Sequence, residues 1–117
     1  MKGSIRAVMV FAEEPRVAAA WWAQLLGVPV EGVHEKDFFF WFDADGIEFG
    51  FHPADPERNP VGGSPVVYFA ATDIDDEVSK ALALGATRHR GPLGISESRT
   101  IVQMVDPFGT IFGIDAG

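Results

Sequence analysis

Cysteine is absent from the 117 residues, which excludes a disulfide framework, a thiolate zinc site, an iron–sulfur cluster and a cysteine nucleophile. A reducing cytoplasm suits such a chain, and a cytoplasmic location is the expectation. Basic residues are scarce as well: 9 Lys and Arg stand against 17 Asp and Glu, a formal charge of −8. Phosphate-binding surfaces need clustered cations, and the one local cluster is Arg88-His89-Arg90. Nucleic acid and membrane are therefore not expected as partners, and the surplus acid marks a soluble surface. Long apolar runs are missing too. The longest, residues 7–12, 17–23 and 38–42, fall far short of a bilayer crossing, and Met1-Lys2-Gly3-Ser4 leads into an alternating segment, so no secretion signal is expected. No Gly-rich phosphate loop and no GxSxG nucleophile elbow is found.

What remains is an ordinary globular composition, 47% hydrophobic and 22% charged, enough for one domain with a real core. Residues 5–11 predict a buried strand. Glu13-Glu14-Pro15 opens a helix that Gly27 ends, with Ala18, Trp21, Trp22 and Leu25 on one face and both tryptophans expected in the core. Residues 28–35, 38–42 and 47–52 predict three further strands, with a turn at Asp43-Ala44-Asp45-Gly46. The loop-rich stretch 53–64 separates the halves, giving a first unit of residues 1–56, a linker of 57–64 and a second unit of 65–117. In the second unit, Val66–Ala71 predicts a strand and residues 73–84 a helix whose Ile74, Val78, Ala81 and Leu82 share a face. A strand at 87–90, a loop at 91–98 and a hairpin of Thr100–Val105 with 110–115 complete it.

The order recurs. Leu25-Leu26-Gly27 matches Ala83-Leu84-Gly85, and Asp43-x-x-Gly46-x-x-Phe49-Gly50-Phe51 matches Asp106-x-x-Gly109-x-x-Phe112-Gly113-Ile114. Over nearly its whole length the chain resembles the vicinal oxygen chelate superfamily of glyoxalases, bleomycin-resistance proteins and extradiol dioxygenases. The resemblance is carried by Val8-Met9-Val10-Phe11, by Trp21-Trp22-x-x-Leu25-Leu26-Gly27, by residues 66–85, and by Asp106-Pro107-Phe108-Gly109-x-x-Phe112. It implies an α+β fold: two βαβββ units whose curved mixed sheets surround a central cup, with helices outside. It also implies a homodimer.

Metal-dependent members place ligands on the first and last strands of each unit. Here that resemblance points to Ala7, Val66 and Gly113, none of which offers a donor, and to either Gly50 or Glu48. Gly50 follows from the internal repeat and Glu48 from the family's apolar–Glu–apolar pattern. Glu48 and His52 share a strand face but lie about 13 Å apart along it, too far to hold one ion directly. His34 and His89 are not linked to them by spacing. No cofactor is expected.

With Gly50 and Gly113 at the inward positions the resemblance implies, alternation turns Met9, Phe11, Glu48, His52, Tyr68 and Ile111 inward as well, with Gln103 and Trp41 as further candidate ligand contacts and a stacking surface within residues 38–42. That surface is either Phe39 with Trp41 or the even-numbered Phe set. The two glycines leave either an open centre or one filled by Met9, Phe11 and neighbouring aromatics. Glu48 and His52 are the candidate catalytic or anchoring groups. Three functions fit: a metal-free binder of a small apolar or aromatic molecule, a metal-dependent lyase, isomerase or dioxygenase, and a dimeric interaction or regulatory protein with a filled cup.

Overall fold

The computed structural model describes residues 3–117. The chain divides into an N-terminal unit, Ala7–Pro65, and a C-terminal unit, Val66–Gly117 with the start of the chain as far as Arg6. The fold is α+β, and its elements repeat as βαβββ: β1 (Ile5–Ala12), α1 (Pro15–Leu26), β2 (His34–Lys36), β3 (Phe39–Ala44) and β4 (Ile47–Pro53), then β5 (Val66–Ala71), α2 (Ile74–Ala83), β6 (Thr87–Gly94), β7 (Thr100–Val105) and β8 (Ile111–Ala116). No helix among the described residues is long and apolar enough to cross a membrane.

In the N-terminal unit the strand order is β2-β3-β4-β1. The strand β1 runs parallel to β4, and the other neighbours are antiparallel. Asp45 and Gly46, both at positive φ, make the tight β3–β4 turn, the geometry that matches the twist of the strands it joins. One face of the sheet seats α1: Phe40, Phe42 and Phe51 are buried with Ala19 and Ala23, and Val10, Trp22 and Phe49 pack against them. Phe42 and Phe49 stack at 5.5 Å, and Phe49 and Phe51 at 5.2 Å. Each fully buried Phe contributes roughly 1.5–3 kcal/mol.

Two expectations for this unit are corrected. Residues 28–35 do not form one strand: Pro29 leads into a 3-10 turn, Val30–Gly32, and only His34–Lys36 joins the sheet. On α1 the buried residues are Ala19 and Ala23, while Trp21 is 58% and Leu25 60% exposed. The segment 17–23 is apolar all round, so periodicity left the inner face undetermined. Close approach to the phenylalanine layer then favoured the side with the smallest side chains.

The C-terminal unit repeats the plan with the order β5-β8-β7-β6. Here β5 runs parallel to β8, and β8–β7 and β7–β6 are antiparallel. Asp73 caps α2, its carboxylate accepting from the Asp76 amide at 3.1 Å. Val78 on the inner side of the helix is buried with Ala86, Val102, Met104 and Ile114, and Ile74 and Ala81 of the same helix pack against this cluster. Leu82, expected on that face, is 46% exposed. Residues 91–94, expected in a loop, continue β6: Leu93 pairs with Ile101 and Gly94 with Thr100, and register shifts after Arg88 and Arg90 absorb the Gly91-Pro92 step. An outermost strand tolerates proline at such a bulge.

Candidate functional site

Because β3 and β4 turn Phe40, Phe42, Phe49 and Phe51 toward α1, the alternate residues point away from it. Those are Met9 and Phe11 on β1, Phe39 and Trp41 on β3, and Glu48, Gly50 and His52 on β4. The stacking surface is therefore the Phe39–Trp41 pair, not the even-numbered set. These side chains form a continuous line of rings. Trp41 stacks on Phe39 at 5.0 Å between centroids and 15° between planes. Phe39 lies 6.2 Å from His52, which meets Phe11 edge-on at 5.9 Å. His34, outside the predicted site, extends the line by lying 5.5 Å from Trp41.

Gly50 sits beneath this line. A Cβ there would lie 2.6 Å from the Phe39 ring and 3.1 Å from the Met9 sulfur. The missing side chain therefore leaves no opening: Phe39 occupies its place. His52 is fixed by a 2.9 Å hydrogen bond between Nδ1 and the Pro53 carbonyl. A carbonyl oxygen only accepts, so Nδ1 carries the proton and Nε2 of the neutral ring presents a lone pair. Glu48 stands two pleats back along β4, opposite Ala7 and Asp43, whereas His52 is opposite Phe11. The register does not bring Glu48 and His52 together.

The helix-free face of the C-terminal unit has a different chemistry. Tyr68, Gly113, Gln103 and Arg90 are direct register partners across all four strands. A Cβ on Gly113 would collide with the Tyr68 ring, so this glycine too is covered by an aromatic side chain. Lying across it, the Tyr68 hydroxyl accepts a 2.8 Å hydrogen bond from the Gln103 side-chain nitrogen. Tyr68 and Gln103 are 3% and 4% exposed. Burial pushes the Tyr68 phenol above its ordinary 10.0; the Gln103 hydrogen bond and the Arg90 charge draw it down, and Asp115 adds to the rise. Ile111 lies at the start of β8, opposite Val105.

Two residues beyond Gly113, the buried Asp115 carboxylate accepts from Arg99 Nε at 2.9 Å and Nη2 at 2.6 Å, with Arg6 at 3.9 Å. Asp115 and Arg99 were not singled out from the sequence. An acid between Ile114 and Ala116 in a strand was the available signal.

The model of a glyoxalase-like domain matches residues 7–114. The chain belongs to this family. No curated protein gives a significant match. Among solved structures, this glyoxalase-like chain is similar to hypothetical protein BH1468 from Bacillus halodurans C-125, at 8% identity and a TM-score of 0.74, covering 100% of this chain and 96% of that one. It is similar also to a chain described as NAD-dependent benzaldehyde dehydrogenase from Legionella pneumophila, at 16% identity and a TM-score of 0.68 over 94% and 96%. A third is Streptomyces coelicolor methylmalonyl-CoA epimerase, at 12% identity and 0.66 over 97% and 96%. At such identities the likeness is one of fold.

The metal positions implied by the vicinal oxygen chelate resemblance can be tested against this geometry. Met9 pairs with Gly50 as Tyr68 pairs with Gly113, so the register equates the two glycines and assigns Gly50, rather than Glu48, to the last-strand place. Ala7 and Val66 are each 1% exposed and aliphatic. Both glycine positions are covered by rings. The residues present at these four places do not fit a divalent ion. Among the described residues no group of three or more His, Asp or Glu side chains is placed to hold one elsewhere.

Proposed function

We propose that this glyoxalase-like chain binds a small apolar or aromatic organic molecule against the ring-lined face of its N-terminal unit, without a metal ion. The line Trp41–Phe39–His52–Phe11 carries the reading. Aromatic faces stack on planar ligands at a gain of about 0.5–1.5 kcal/mol per pair beyond area burial. At one point in this apolar line, His52 Nε2 offers an acceptor, which favours a ligand carrying one O–H or N–H. A binder is preferred to an acid–base enzyme because the register separates Glu48 from His52 along β4. A homodimer in the cytoplasm belongs to the same proposal, supported by the apolar residues Val17, Trp21 and Leu25 on the outer side of α1. A single monomer mass in sedimentation at all concentrations would remove that part.

The test uses protein dialysed against EDTA and titrated with 1-naphthol, followed by NMR at the Trp41 indole and His52 ring signals. Saturable shifts are expected at both. Trp41→Ala should weaken binding by roughly 5- to 20-fold, and naphthalene, lacking the hydroxyl, should bind more weakly than 1-naphthol. Binding that disappears on dialysis and returns with one equivalent of Zn, Mn, Fe or Ni would falsify the metal-free reading. Unchanged affinity in Trp41→Ala would remove the ring face from the site.

A further inference from the structure

On the helix-free face of the C-terminal unit, the Gln103 amide oxygen is buried and has no hydrogen-bond partner among the described residues. A buried acceptor left unpaired costs about as much as a lost hydrogen bond and calls for a partner from outside the chain. Its neighbour supplies the complementary half. The Tyr68 hydroxyl already accepts from Gln103, so its own proton remains to be donated. We infer that Tyr68 and Gln103 form a binding site for a carboxamide-type group, a ligand edge that presents an N–H donor beside a carbonyl acceptor.

The specificity does not depend on which way the Gln103 amide is turned. With the nitrogen on Tyr68, the free pair is the tyrosine O–H donor and the glutamine oxygen acceptor. With the amide reversed, Tyr68 donates to the glutamine oxygen, and the free pair becomes the glutamine N–H donor and a tyrosine lone pair. Either way one donor and one acceptor stand side by side. A primary amide, lactam or similar edge satisfies both. An ester or tertiary amide satisfies only the donor, and a carboxylate sets a lone pair against the acceptor. Gly113 makes the arrangement sterically feasible, since any side chain there would displace the Tyr68 ring. No residue of the ring-lined face takes part, so this site and the reading proposed above fail separately.

The experiment compares benzamide with methyl benzoate, N,N-dimethylbenzamide and benzoate, read at the Gln103 side-chain NH2 resonances of the full chain. Benzamide should saturate those signals and bind roughly 10- to 100-fold more tightly than the other three. Gln103→Met, checked for folding by its backbone amide spectrum, should abolish the preference. Should that variant not fold, Tyr68→Phe makes the same comparison. Equal binding of benzamide and methyl benzoate, a preference that survives the substitution, tighter binding of benzoate, or no saturation by benzamide up to its solubility each overturns the inference. The last outcome would leave water as the partner of the glutamine oxygen.

Discussion

The two units repeat one pairing plan yet carry opposite chemistry on it. Across the four strands of the N-terminal unit one row of register partners is His34, Trp41, Gly50 and Met9; the corresponding row of the C-terminal unit is Arg90, Gln103, Gly113 and Tyr68. Two residues beyond the glycine, the first has His52 and the second Asp115. The backbone plan therefore fixes where a side chain stands and on which face, while its chemistry is free to diverge. One face has become a line of rings that includes the imidazoles of His34 and His52. The other has become a hydrogen-bonded and ion-paired surface. Only the glycine is common, and in both units a ring covers it, reached from β3 in one and from β5 in the other.

The contrast at the positions after the glycines should give the largest effect. Asp115 is 1% exposed and accepts from a bidentate Arg99, so Arg99→Met leaves the buried carboxylate with Arg6 alone, at 3.9 Å, and should cost about 3 kcal/mol in urea unfolding. His52→Ala, at the equivalent and half-buried place, should cost about 1 kcal/mol or less. Comparable losses would erase the distinction between a structural ion pair and a surface open to ligand. The glycines come next. Gly113→Ala drives a methyl into the Tyr68 ring, which is buried and held by Gln103, and should cost about 3 kcal/mol. Gly50→Ala meets the outer atoms of the Phe39 ring at 2.6 Å; that ring is half-buried and can swing aside, so about 1 kcal/mol is expected. Equal costs would mean that Tyr68 is no more firmly seated than Phe39.

The duplicated plan was legible because it rests on local signals. The Asp-x-x-Gly turns and the Phe-Gly strands after them look alike in both halves, and period-two alternation then sorts side chains to faces. The lost information was non-local. Nothing in Gly91-Pro92-Leu93-Gly94 resembles a strand; β7 draws it into the sheet by offering ladder partners. The run from Val17 to Ala23 fits several helix faces, and only packing against the phenylalanine layer selects Ala19 and Ala23. Alternation puts Gly50 and Gly113 on the faces turned away from the helices, but it could not reveal that Phe39 and Tyr68 lie across them, because a ring reaching over a neighbouring strand leaves no periodic trace. The Tyr68–Gln103 hydrogen bond likewise joins residues 35 apart in sequence, a pairing that exists only once β8 lies between β5 and β7.

The smallest expected effect is the most direct probe of the C-terminal row. The chain has one tyrosine, so an absorbance titration at 295 nm reads Tyr68 alone. Burial favours the neutral phenol in the folded protein and holds its ionisation above 10.0, against the opposing pull of Gln103 and Arg90. A group raised on folding contributes stability that is fully present below its unfolded value and is lost as pH climbs through the folded one. Unfolding should therefore become easier only on the alkaline side of 10.0, while folded Tyr68 titrates later than the same residue in urea. Gln103→Met removes one of the influences that lower the value, so it should move the folded titration higher still. A folded titration at or below 10.0 would mean that water reaches the phenol freely, and the buried polar row would lose its distinction from the half-buried rings of the other unit.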